Sequence, residues 1–340
     1  MLDRKAEHLR FGVSDEGQFT TRSAGFERYR LEHRALPELA LEDVDLATRF
    51  LDRDLRAPLL VSSMTGGPES GETINGNLAE AAEALGIAMG VGSQRVAIDA
   101  PSVARTFRVA RERAPSAVLF GNLGAVQLNY GFGADHARRA VEMLRADGLF
   151  LHLNALQEAV QPEGDTNFRG LLDKIEALVR EVDFPILVKE CGVGISGALA
   201  SELFHRGVAA VDVAGAGGTS WAAIEGLRAK DPAHRALGEV FRDFGIPTTV
   251  ALTEARALVG DRPLIASGGV RNGLDVAKAL ALGADLVAVA KPVLSAALES
   301  AAAAHAALEQ ILLELRVACF VTGSSAPREL RGRIVIASPP

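Results

Sequence analysis

The hydrophobic positions of the chain lie in short continuous runs rather than in alternating ones. Eight runs of four to seven mostly aliphatic residues are each followed by a polar or glycine-rich turn and then by an alanine-rich helical stretch. Strands of a parallel sheet that are buried on both faces have this continuous apolar pattern. The runs predict strands at residues 57–61, 87–91, 117–121, 148–153, 184–188, 208–213, 263–266 and 284–290.

Eight strands that alternate with helices predict a (β/α)8 TIM barrel, an α/β fold, over residues 57–340. Right-handed crossovers between consecutive parallel strands would close the sheet. A doubly wound open sheet is the competing architecture. The barrel is favoured because every polar cluster of the chain follows the end of a predicted strand, which is where barrel enzymes build their active sites.

Residues 1–56 precede the first predicted strand and form an N-terminal extension. The segment is rich in charge and has no apolar run comparable with the barrel strands, so its composition alone fits a disordered or surface-packed arm. On a helix, Arg4 and His8 would share one face, with Lys5 beside Arg4. An arm with this face could fold over an anionic ligand and contribute to the substrate site.

Composition and charge narrow the class of protein. The 340 residues are 48% hydrophobic but only 5% aromatic, which suits a core of Ala, Val and Leu between helices and a parallel sheet. A net charge of −7 argues against nucleic-acid and membrane-surface partners. Two cysteines, no signal peptide and no apolar run of about 20 residues predict a cytoplasmic protein.

The most polar strand end follows the apolar residues 148–151. It carries His152, Asn154, Gln157 and Glu158 within seven positions, which places the chemistry there. Glu158 is a candidate Mg²⁺ ligand, because proteins commonly hold Mg²⁺ with one or two carboxylates together with phosphate oxygens and water. A carboxylate that only stabilises a helix N-terminus is the alternative, and the sequence leaves both open.

Anion sites are predicted on two sides of the barrel mouth. Residues 267–273 and 290–292 follow the seventh and eighth strands, whose loops hold phosphate in many barrels. Across the mouth, Arg95 and His152 provide cationic groups. Lys189 should also face an anion, because an unpaired buried lysine is costly. Two sites predict two ligands, a phosphorylated cofactor and a phosphorylated substrate.

A glycine pattern after the fifth strand could suggest a dinucleotide site. Gly192–Gly197 matches G-x-G-x-x-G, and Asp212 follows Gly192 by 20 residues. Four strand–helix units precede this motif, whereas a dinucleotide-binding fold normally begins with it. The glycines are therefore interpreted as a loop that packs closely against neighbouring loops.

Together, these motifs resemble the type 2 isopentenyl diphosphate isomerase family, and the resemblance covers nearly the whole chain. The most specific part among flavin barrels is Gln157-Glu158 with Gln161-Pro162-Glu163-Gly164. The other matching motifs are Arg4-Lys5-x-x-His8, Met64-Thr65-Gly66-Gly67, Gly92-Ser93-Gln94-Arg95, His152-x-Asn154, Lys189-Glu190-x-Gly192, Gly217-Gly218-Thr219 and Ser267-Gly268-Gly269.

The resemblance implies an enzyme that interconverts isopentenyl diphosphate and dimethylallyl diphosphate in isoprenoid biosynthesis. It implies FMN as cofactor, Mg²⁺, and NAD(P)H as the reductant of FMN, without net redox change in the substrate. Moving a double bond requires protonation of an unactivated alkene, and reduced FMN can serve as the acid–base group. The family is usually tetrameric or octameric, so a homo-oligomer is expected.

The resemblance also implies a role for each matching residue. Gln157 is too weak an acid or base to exchange the proton itself, so we expect it to contact the substrate beside the flavin and to orient the exchanging group. Glu158 would bind Mg²⁺. Ala214 and Cys191 depart from the family pattern, and Ala214 puts one flavin hydrogen bond in doubt. Substrate would bind Arg4, Lys5, His8, Ser93, Gln94, Arg95, His152, Asn154 and Gln157. FMN would bind Ser63, Met64, Thr65, Ser93, Asn122, Lys189, Thr219, Gly268, Gly269, Val270, Ala290 and Lys291.

Two other functions fit the same fold. An FMN-dependent TIM-barrel oxidoreductase of the 2-hydroxy-acid oxidase type would need a histidine base near the late strand ends. His234 lies in the long 221–250 connection, and only His305 follows it, so this alternative is less favoured. A flavin-binding regulatory module would not need the complete run from His152 to Glu158.

Overall fold

A computed structural model describes residues 2–336, except for the side chains of residues 2–4 and 6. The predicted substrate residue Arg4 therefore has no described side chain. The strands in chain order are β1 (Tyr29–Leu31), β2 (Thr48–Phe50), β3 (Arg53–Leu55), β4 (Leu59–Val61), β5 (Ala88–Gly90), β6 (Leu119–Gly124), β7 (Gly148–His152), β8 (Ile186–Lys189), β9 (Ala210–Asp212), β10 (Leu264–Ala266), β11 (Leu286–Val289) and β12 (Ile334–Ile336).

Helices separate the central strands. In chain order they are α1 (Leu2–Val13), α2 (Glu69–Leu85), α3 (Arg95–Asp99), α4 (Arg105–Arg113), α5 (Ala134–Leu144), α6 (Ala155–Val160), α7 (Leu171–Glu181), α8 (Gly197–His205), α9 (Trp221–Arg228), α10 (Pro232–Val240), α11 (Thr248–Val259), α12 (Gly273–Ala281), α13 (Lys291–Glu299) and α14 (Ala301–Val321).

Strands β4 to β11 form a closed parallel barrel in chain order, and β11 pairs with β4 to close it. The predicted (β/α)8 fold is confirmed, and each predicted run overlaps one barrel strand. β6 continues past its predicted end because Asn122, Leu123 and Gly124 pair with Phe150, Leu151 and His152 of β7. This extension carries Asn122 up to the polar end of β7.

Two layers of apolar side chains explain why the strands are apolar throughout. Inside the barrel, Phe120 and Phe150 pack edge to face, with ring centroids 5.4 Å apart. Phe50 and Leu55 of the β2–β3 hairpin belong to the same interior cluster. The outward residues pack against the alanine-rich faces of the helices. Both faces of each strand are therefore buried, as the continuous runs require.

Local sequence sets several helix ends. The side chain of Asn272 accepts a hydrogen bond of 2.9 Å from the Asp275 N–H at the start of α12. Asp231 caps α10 in the same way, and Pro232 occupies its first turn. Helix α2 ends at Gly86, whose φ of 65° favours glycine.

The N-terminal 56 residues pack on the barrel through regular elements that their composition did not predict. β1 pairs antiparallel with β12 near the chain's other end, with Tyr29 opposite Ile336. The Asp243 carboxylate accepts hydrogen bonds from Thr20 and Thr21, through both N–H and hydroxyl groups. In residues 2–336, no helix combines the length and apolar character that a membrane span needs.

Candidate active site

A large cavity opens at the carboxyl ends of the barrel strands, with about 1670 Å³ of empty space including its open mouth. The loops after all eight barrel strands contribute to its wall, and helix α1 lines it with Lys5 and His8. Arg95 lies on one side of this cavity, and Lys291 on the strand-eight side. The two predicted anion regions therefore face the same space.

Most of the predicted site residues line this cavity, but two of those described do not. The Gln94 side chain is fully buried, with its Nε2 donating to the Ala140 carbonyl at 2.8 Å and its Oε1 accepting from the Asn122 N–H at 2.9 Å. Both polar atoms of its amide are thus occupied by backbone groups outside the cavity. The expectation that this side chain contacts substrate is therefore corrected. The Val270 side chain packs in the outer core and leaves only its backbone for a ligand.

His152 is not a cationic group in this structure, contrary to the sequence prediction. Burial, together with the nearby charges of Lys189 and Lys5, lowers the pKa of His152 to about 3. Its Nδ1 lies 2.7 Å from Asn122 Oδ1, so an Nδ1 proton donated there leaves Nε2 as the acceptor. Only a bound anion could offset the repulsion by the lysines and favour protonation of Nε2.

Glu225 joins three functional side chains, although the sequence did not single it out. Its carboxylate is completely buried, and its Oε1 lies 2.9 Å from His8 Nε2 and 2.8 Å from Gln157 Nε2. Its Oε2 accepts from Arg228 Nη1. Burial raises the pKa of Glu225, but hydrogen bonds from His8 and Gln157 and the Arg228 charge outweigh it, so the pKa lies below the ordinary value. Glu225 is therefore an ionised anchor for Gln157.

A helical pattern could have identified this group. Trp221, Glu225 and Arg228 are spaced i, i+4 and i+7, so they share one face of α9. Trp221 also lines the cavity and packs edge-on against His8, with ring centroids 5.1 Å apart. In the sequence, the charged pair Glu225 and Arg228 on a short alanine-containing helix is typical of a solvent-exposed face. The approach of α1 makes this pair part of the site.

The opposite side of the Gln157 amide is also held. Asn154 Nδ2 donates to Gln157 Oε1 at 3.4 Å and to Glu158 Oε1 at 2.8 Å. Glu158 Oε2 accepts the Asp165 N–H at 2.7 Å. The orientation of the Gln157 amide is thus fixed at both ends, by Glu225 and by Asn154.

The residues around Glu158 fit an Mg²⁺ ion that is shared with a ligand. No group of three or more metal-binding side chains occurs in the described part of the chain, so the protein alone does not build a full metal site. Asn154 Oδ1, next to Glu158, is buried and has no hydrogen-bond partner among the residues that the structure describes. One carboxylate and one amide oxygen suit Mg²⁺ if phosphate oxygens and water complete its six ligands.

Arg95 reaches the cavity but is paired with acidic residues of the protein. Its Nη1 lies 2.6 Å from Asp165 Oδ2, and its Nε lies 3.8 Å from Asp99 Oδ2. Gln127 Nε2 also donates to Asp165 Oδ2, at 3.0 Å. A diphosphate at Arg95 would therefore share this arginine with Asp165 or displace it.

A buried group of charges surrounds Lys189 at the end of β8. Burial opposes its charge, but Cys191, Asp212 and Glu190 together raise the pKa of Lys189, so the lysine stays cationic. Asp212 Oδ1 accepts from Ser267 Oγ at 2.7 Å, whereas its Oδ2 is buried without a hydrogen-bond partner in the described part of the chain. The anion that Lys189 was predicted to face is thus partly supplied by the protein itself.

The G-x-G-x-x-G loop binds a carboxylate of its own chain. Glu190 Oε2 accepts the N–H groups of Cys191, Gly192 and Val193, each at 2.6 Å. These amides form the anion-binding concavity that a dinucleotide pyrophosphate would need. Burial raises the pKa of Glu190 to about 7, against the effect of these N–H groups and Lys189. The occupied loop gives a physical reason why this motif does not indicate NAD binding.

The loops after β9 and β10 form a cradle of bare backbone. A Cβ at Gly268 would lie 2.0 Å from the Gly215 carbonyl oxygen, and one at Gly218 would lie 2.6 Å from the Gly269 nitrogen. Only glycine permits this approach. Across the cavity, Ser63 Oγ is buried and has no hydrogen-bond partner in the described protein. Bare amides on one side and an unsatisfied hydroxyl on the other fit a phosphorylated planar cofactor such as FMN.

Helix α1 and the residues after it hold the cationic groups beside this cradle. Lys291 Nζ donates to the Ser14 carbonyl at 2.8 Å and pairs with Asp15 Oδ1 at 2.7 Å. Arg271 Nη2 donates to Gln18 Oε1 at 2.6 Å. On the other side, Lys5 Nζ donates to the Ser93 carbonyl at 2.9 Å. The arm therefore contacts both anion regions of the cavity.

The fold and the cavity define a class of flavin barrel, and comparison with known proteins agrees. The FMN-dependent dehydrogenase family matches residues 2–106 and 126–337, and the chain belongs to this family. Among solved structures, a lactate oxidase of Pediococcus acidilactici has a TM-score of 0.71 at 17% identity and covers 99% of this chain and 94% of its own. A flavocytochrome b2 variant has a TM-score of 0.70 at 20% identity, covering 98% and 83%. These likenesses concern the fold.

Within that family, the sequence relatives are more specific. The isopentenyl-diphosphate delta-isomerase of Nostoc sp. is 52% identical over 328 residues, which cover 96% of this chain and 93% of the relative. Those of Stutzerimonas stutzeri and Ignicoccus hospitalis are 50% and 43% identical, covering 97% and 99% of this chain and 96% and 94% of theirs. The chain is therefore a member of the isopentenyl-diphosphate delta-isomerases.

Proposed function

We propose that this protein interconverts isopentenyl diphosphate and dimethylallyl diphosphate, an isomerisation that moves a double bond by a 1,3-proton shift. The observation that carries the proposal is the Gln157 amide, which Glu225 and Asn154 fix inside the cavity between the two anion regions. A neutral amide held in one orientation beside a flavin site suits a proton shift, for which the substrate needs positioning rather than a strong protein acid.

The glycine cradle, Ser63 and Lys189 would hold FMN. Backbone N–H groups around Gly268 and Gly269, together with Lys291, would bind the phosphate, which requires Lys291 to exchange its contact with Asp15. Lys189 would supply a positive charge to the bound flavin. When bound and reduced, FMN supplies the acid–base group and an electron-rich ring face. Ser63, Met64, Thr65, Ser93, Asn122, Thr219, Val270 and Ala290 complete the proposed contacts.

The diphosphate would bind on the opposite side of the mouth. Lys5 and Arg95 supply charge, and His152 becomes protonated at Nε2 as the anion binds. Glu158 and Asn154 would hold Mg²⁺, which would neutralise part of the charge of the diphosphate. Anchoring the diphosphate there leaves the five-carbon chain to reach towards Gln157.

The protein's own residues would then fix the reacting carbon chain. One oxygen of Glu225, Oε1, makes hydrogen bonds with both Gln157 Nε2 and His8 Nε2. Because they share this oxygen, each of the two side chains restrains the movement of the other. Trp221 and Leu9 line the same part of the cavity and exclude water from the hydrocarbon. A carbocation-like transition state would be stabilised beside buried Glu225.

The decisive experiment is an assay of the purified protein with FMN, Mg²⁺ and isopentenyl diphosphate under reducing conditions. We expect dimethylallyl diphosphate to form while NADPH is consumed only in the amount needed to reduce the flavin. NADPH consumption in proportion to product, or no allylic product from a flavin-loaded protein, would reject the proposal.

The oxidase alternative is less favoured on geometry as well. His234 lies on α10, where its Nδ1 pairs with Asp231 Oδ2 at 2.8 Å, and His305 lies on α14. Neither histidine lines the cavity. An oxidase would therefore lack a base near the late strands.

Three further expectations belong to this proposal. NAD(P)H is proposed as the reductant, which would meet the flavin from the open mouth because Glu190 occupies the glycine loop. A homo-oligomer, tetramer or octamer, is proposed from the exposed Leu313 and Val317 on one face of α14, and mass photometry would test it. A cytoplasmic location stays a prediction of the sequence.

A further inference from the structure

One guanidinium group beside the cavity contacts three separate segments of the chain. Arg228 Nε lies 2.9 Å from Glu7 Oε2 on α1, and its Nη2 lies 3.5 Å from Glu163 Oε1 in the segment after α6. Its Nη1 donates to Glu225 Oε2 on α9. Only 10% of the Arg228 side chain is exposed, so these contacts are weakly screened by solvent.

The three carboxylates differ in their surroundings. Glu225 is completely buried, whereas Glu7 and Glu163 are about half exposed, at 46% and 54%. A buried carboxylate is stable only with a partner, and Arg228 occupies its Oε2. Oε1 is thereby left to accept His8 and Gln157. Arg228 thus fixes the orientation in which the Glu225 carboxylate meets His8 and Gln157.

The two half-exposed carboxylates lie on α1 and on segment 161–165, which line the cavity with residues such as Lys5, His8 and Gln161 and are together called its roof. Helix α1 carries Lys5 and His8, while the segment 161–165 carries Asp165, which pairs with Arg95 and donates its N–H to Glu158. Because Arg228 holds both segments, this one side chain connects the residues proposed to bind diphosphate with Glu225, the partner of Gln157.

We propose that Arg228 is a positioning residue of the isomerase, which clasps α1 and segment 161–165 to Glu225 and so closes the roof over the substrate in the geometry that Gln157 requires. The proposal rests on the proposed function. Arg228 is not among the described residues that line the cavity, so it would act through Glu225 and the roof.

Arg242 provides a matched control. It also anchors the arm, because its Nη1 donates to the Glu16 carbonyl at 2.7 Å and the Gln18 carbonyl at 3.1 Å, and 13% of its side chain is exposed. Its acidic partner is Glu239, on α10. Arg242→Met therefore removes an arm contact of similar burial without a contact to Glu225 or to segment 161–165.

The test compares Arg228→Met, Arg228→Lys and Arg242→Met in the flavin-loaded protein. Without substrate, hydrogen–deuterium exchange in Arg228→Met should rise by about tenfold in both residues 2–13 and residues 161–165. In Arg242→Met, exchange should rise in the N-terminal arm but not in residues 161–165. We expect kcat to fall by about 30-fold or more in Arg228→Met, with a smaller rise in KM, and to stay within about threefold in Arg242→Met. Arg228→Lys should recover part of both effects.

The outcomes separate the two proposals. Unchanged exchange in either roof segment of Arg228→Met, or a kcat within about threefold of an active wild type, would overturn the clasp. A wild type without isomerase activity would reject the proposed function, while the exchange data would still decide whether the clasp exists. If Arg228→Met does not fold, the double variant Glu7→Ala with Glu163→Ala removes both roof contacts and leaves Glu225 paired, with the same exchange result expected.

Discussion

Replacing Gly268 by alanine should abolish tight FMN binding. The added Cβ would lie 2.0 Å from the Gly215 carbonyl oxygen, whereas ordinary contact begins near 3.4 Å, so one of the two loops must move by about 1.4 Å. The φ of Gly268 is 96°, which alanine rarely adopts, so backbone strain adds to the clash.

The size of the effect follows from the hydrogen bonds of the cradle. A movement of about 1.4 Å would lengthen an N–H to phosphate bond of roughly 2.9 Å beyond its useful range. Loss of two charge-assisted bonds at about 1.5 kcal/mol each amounts to about 3 kcal/mol. The dissociation constant of FMN should therefore rise by roughly 150-fold.

Gly170→Ala is the matched control. Gly170 also has a positive φ, 63°, with a ψ of 19° in the left-handed region, and an added Cβ meets nothing within 4 Å. It should cost about 1 kcal/mol in stability and leave FMN affinity within about twofold. Quenching of flavin fluorescence measures the affinity, and denaturant unfolding of the apoprotein measures stability. An FMN affinity of Gly268→Ala within about threefold of wild type would refute the proposal that the glycine cradle binds FMN. If that variant does not fold, Gly218→Ala tests the same approach.

Three other predictions concern separate parts of the molecule. Gln157→Asn shortens the side chain and breaks its contact with Glu225, so turnover should fall by about 100-fold with FMN affinity unchanged; near-normal turnover would remove Gln157 from the mechanism. Glu158→Gln should raise the Mg²⁺ concentration for half-maximal activity by about tenfold or more, and an unchanged Mg²⁺ titration would place the ion elsewhere. Although burial opposes it, hydrogen bonds from Thr21 and Thr20 lower the pKa of Asp243 to about 2 from 3.8. Asp243 should therefore stabilise the fold above pH 3.8 and lose this effect as the pH falls towards 2, so wild type and Asp243→Asn should converge in acid unfolding; a stability difference that persists at pH 2 would contradict this.

The pattern of apolar runs determined the barrel because each central strand is buried on both faces. A residue such as Phe120 faces the interior while its neighbour Leu119 packs under the helices, so these strands stay apolar up to the polar residues near their carboxyl ends, such as Asn122 of β6. The polar residues at those ends, from Ser63 to Lys291, meet in one cavity because parallel strands of a barrel all end on the same side.

Local sequence could not determine what each side chain does once the loops meet. Gln94 belongs to a recognisable motif, yet its amide satisfies the backbone of β6 and α5. Glu190 occupies the glycine loop that otherwise resembles a dinucleotide site. The partners of Gln94 lie 46 and 28 residues away and become neighbours only after folding. Glu190 instead accepts from the N–H groups of the residues that directly follow it, which point to its carboxylate only in the folded loop.

Glu225 shows most clearly what only the tertiary structure decided. The sequence contains the helix face that it shares with Trp221 and Arg228, but its partners lie 217 residues away at His8 and 68 residues away at Gln157. Its burial, and hence its need for those partners, arises when α1 packs across the barrel mouth. The local pattern of apolar residues determines the strands and the positions of their polar ends. The pairing of buried charges depends instead on which distant segments exclude the water between them.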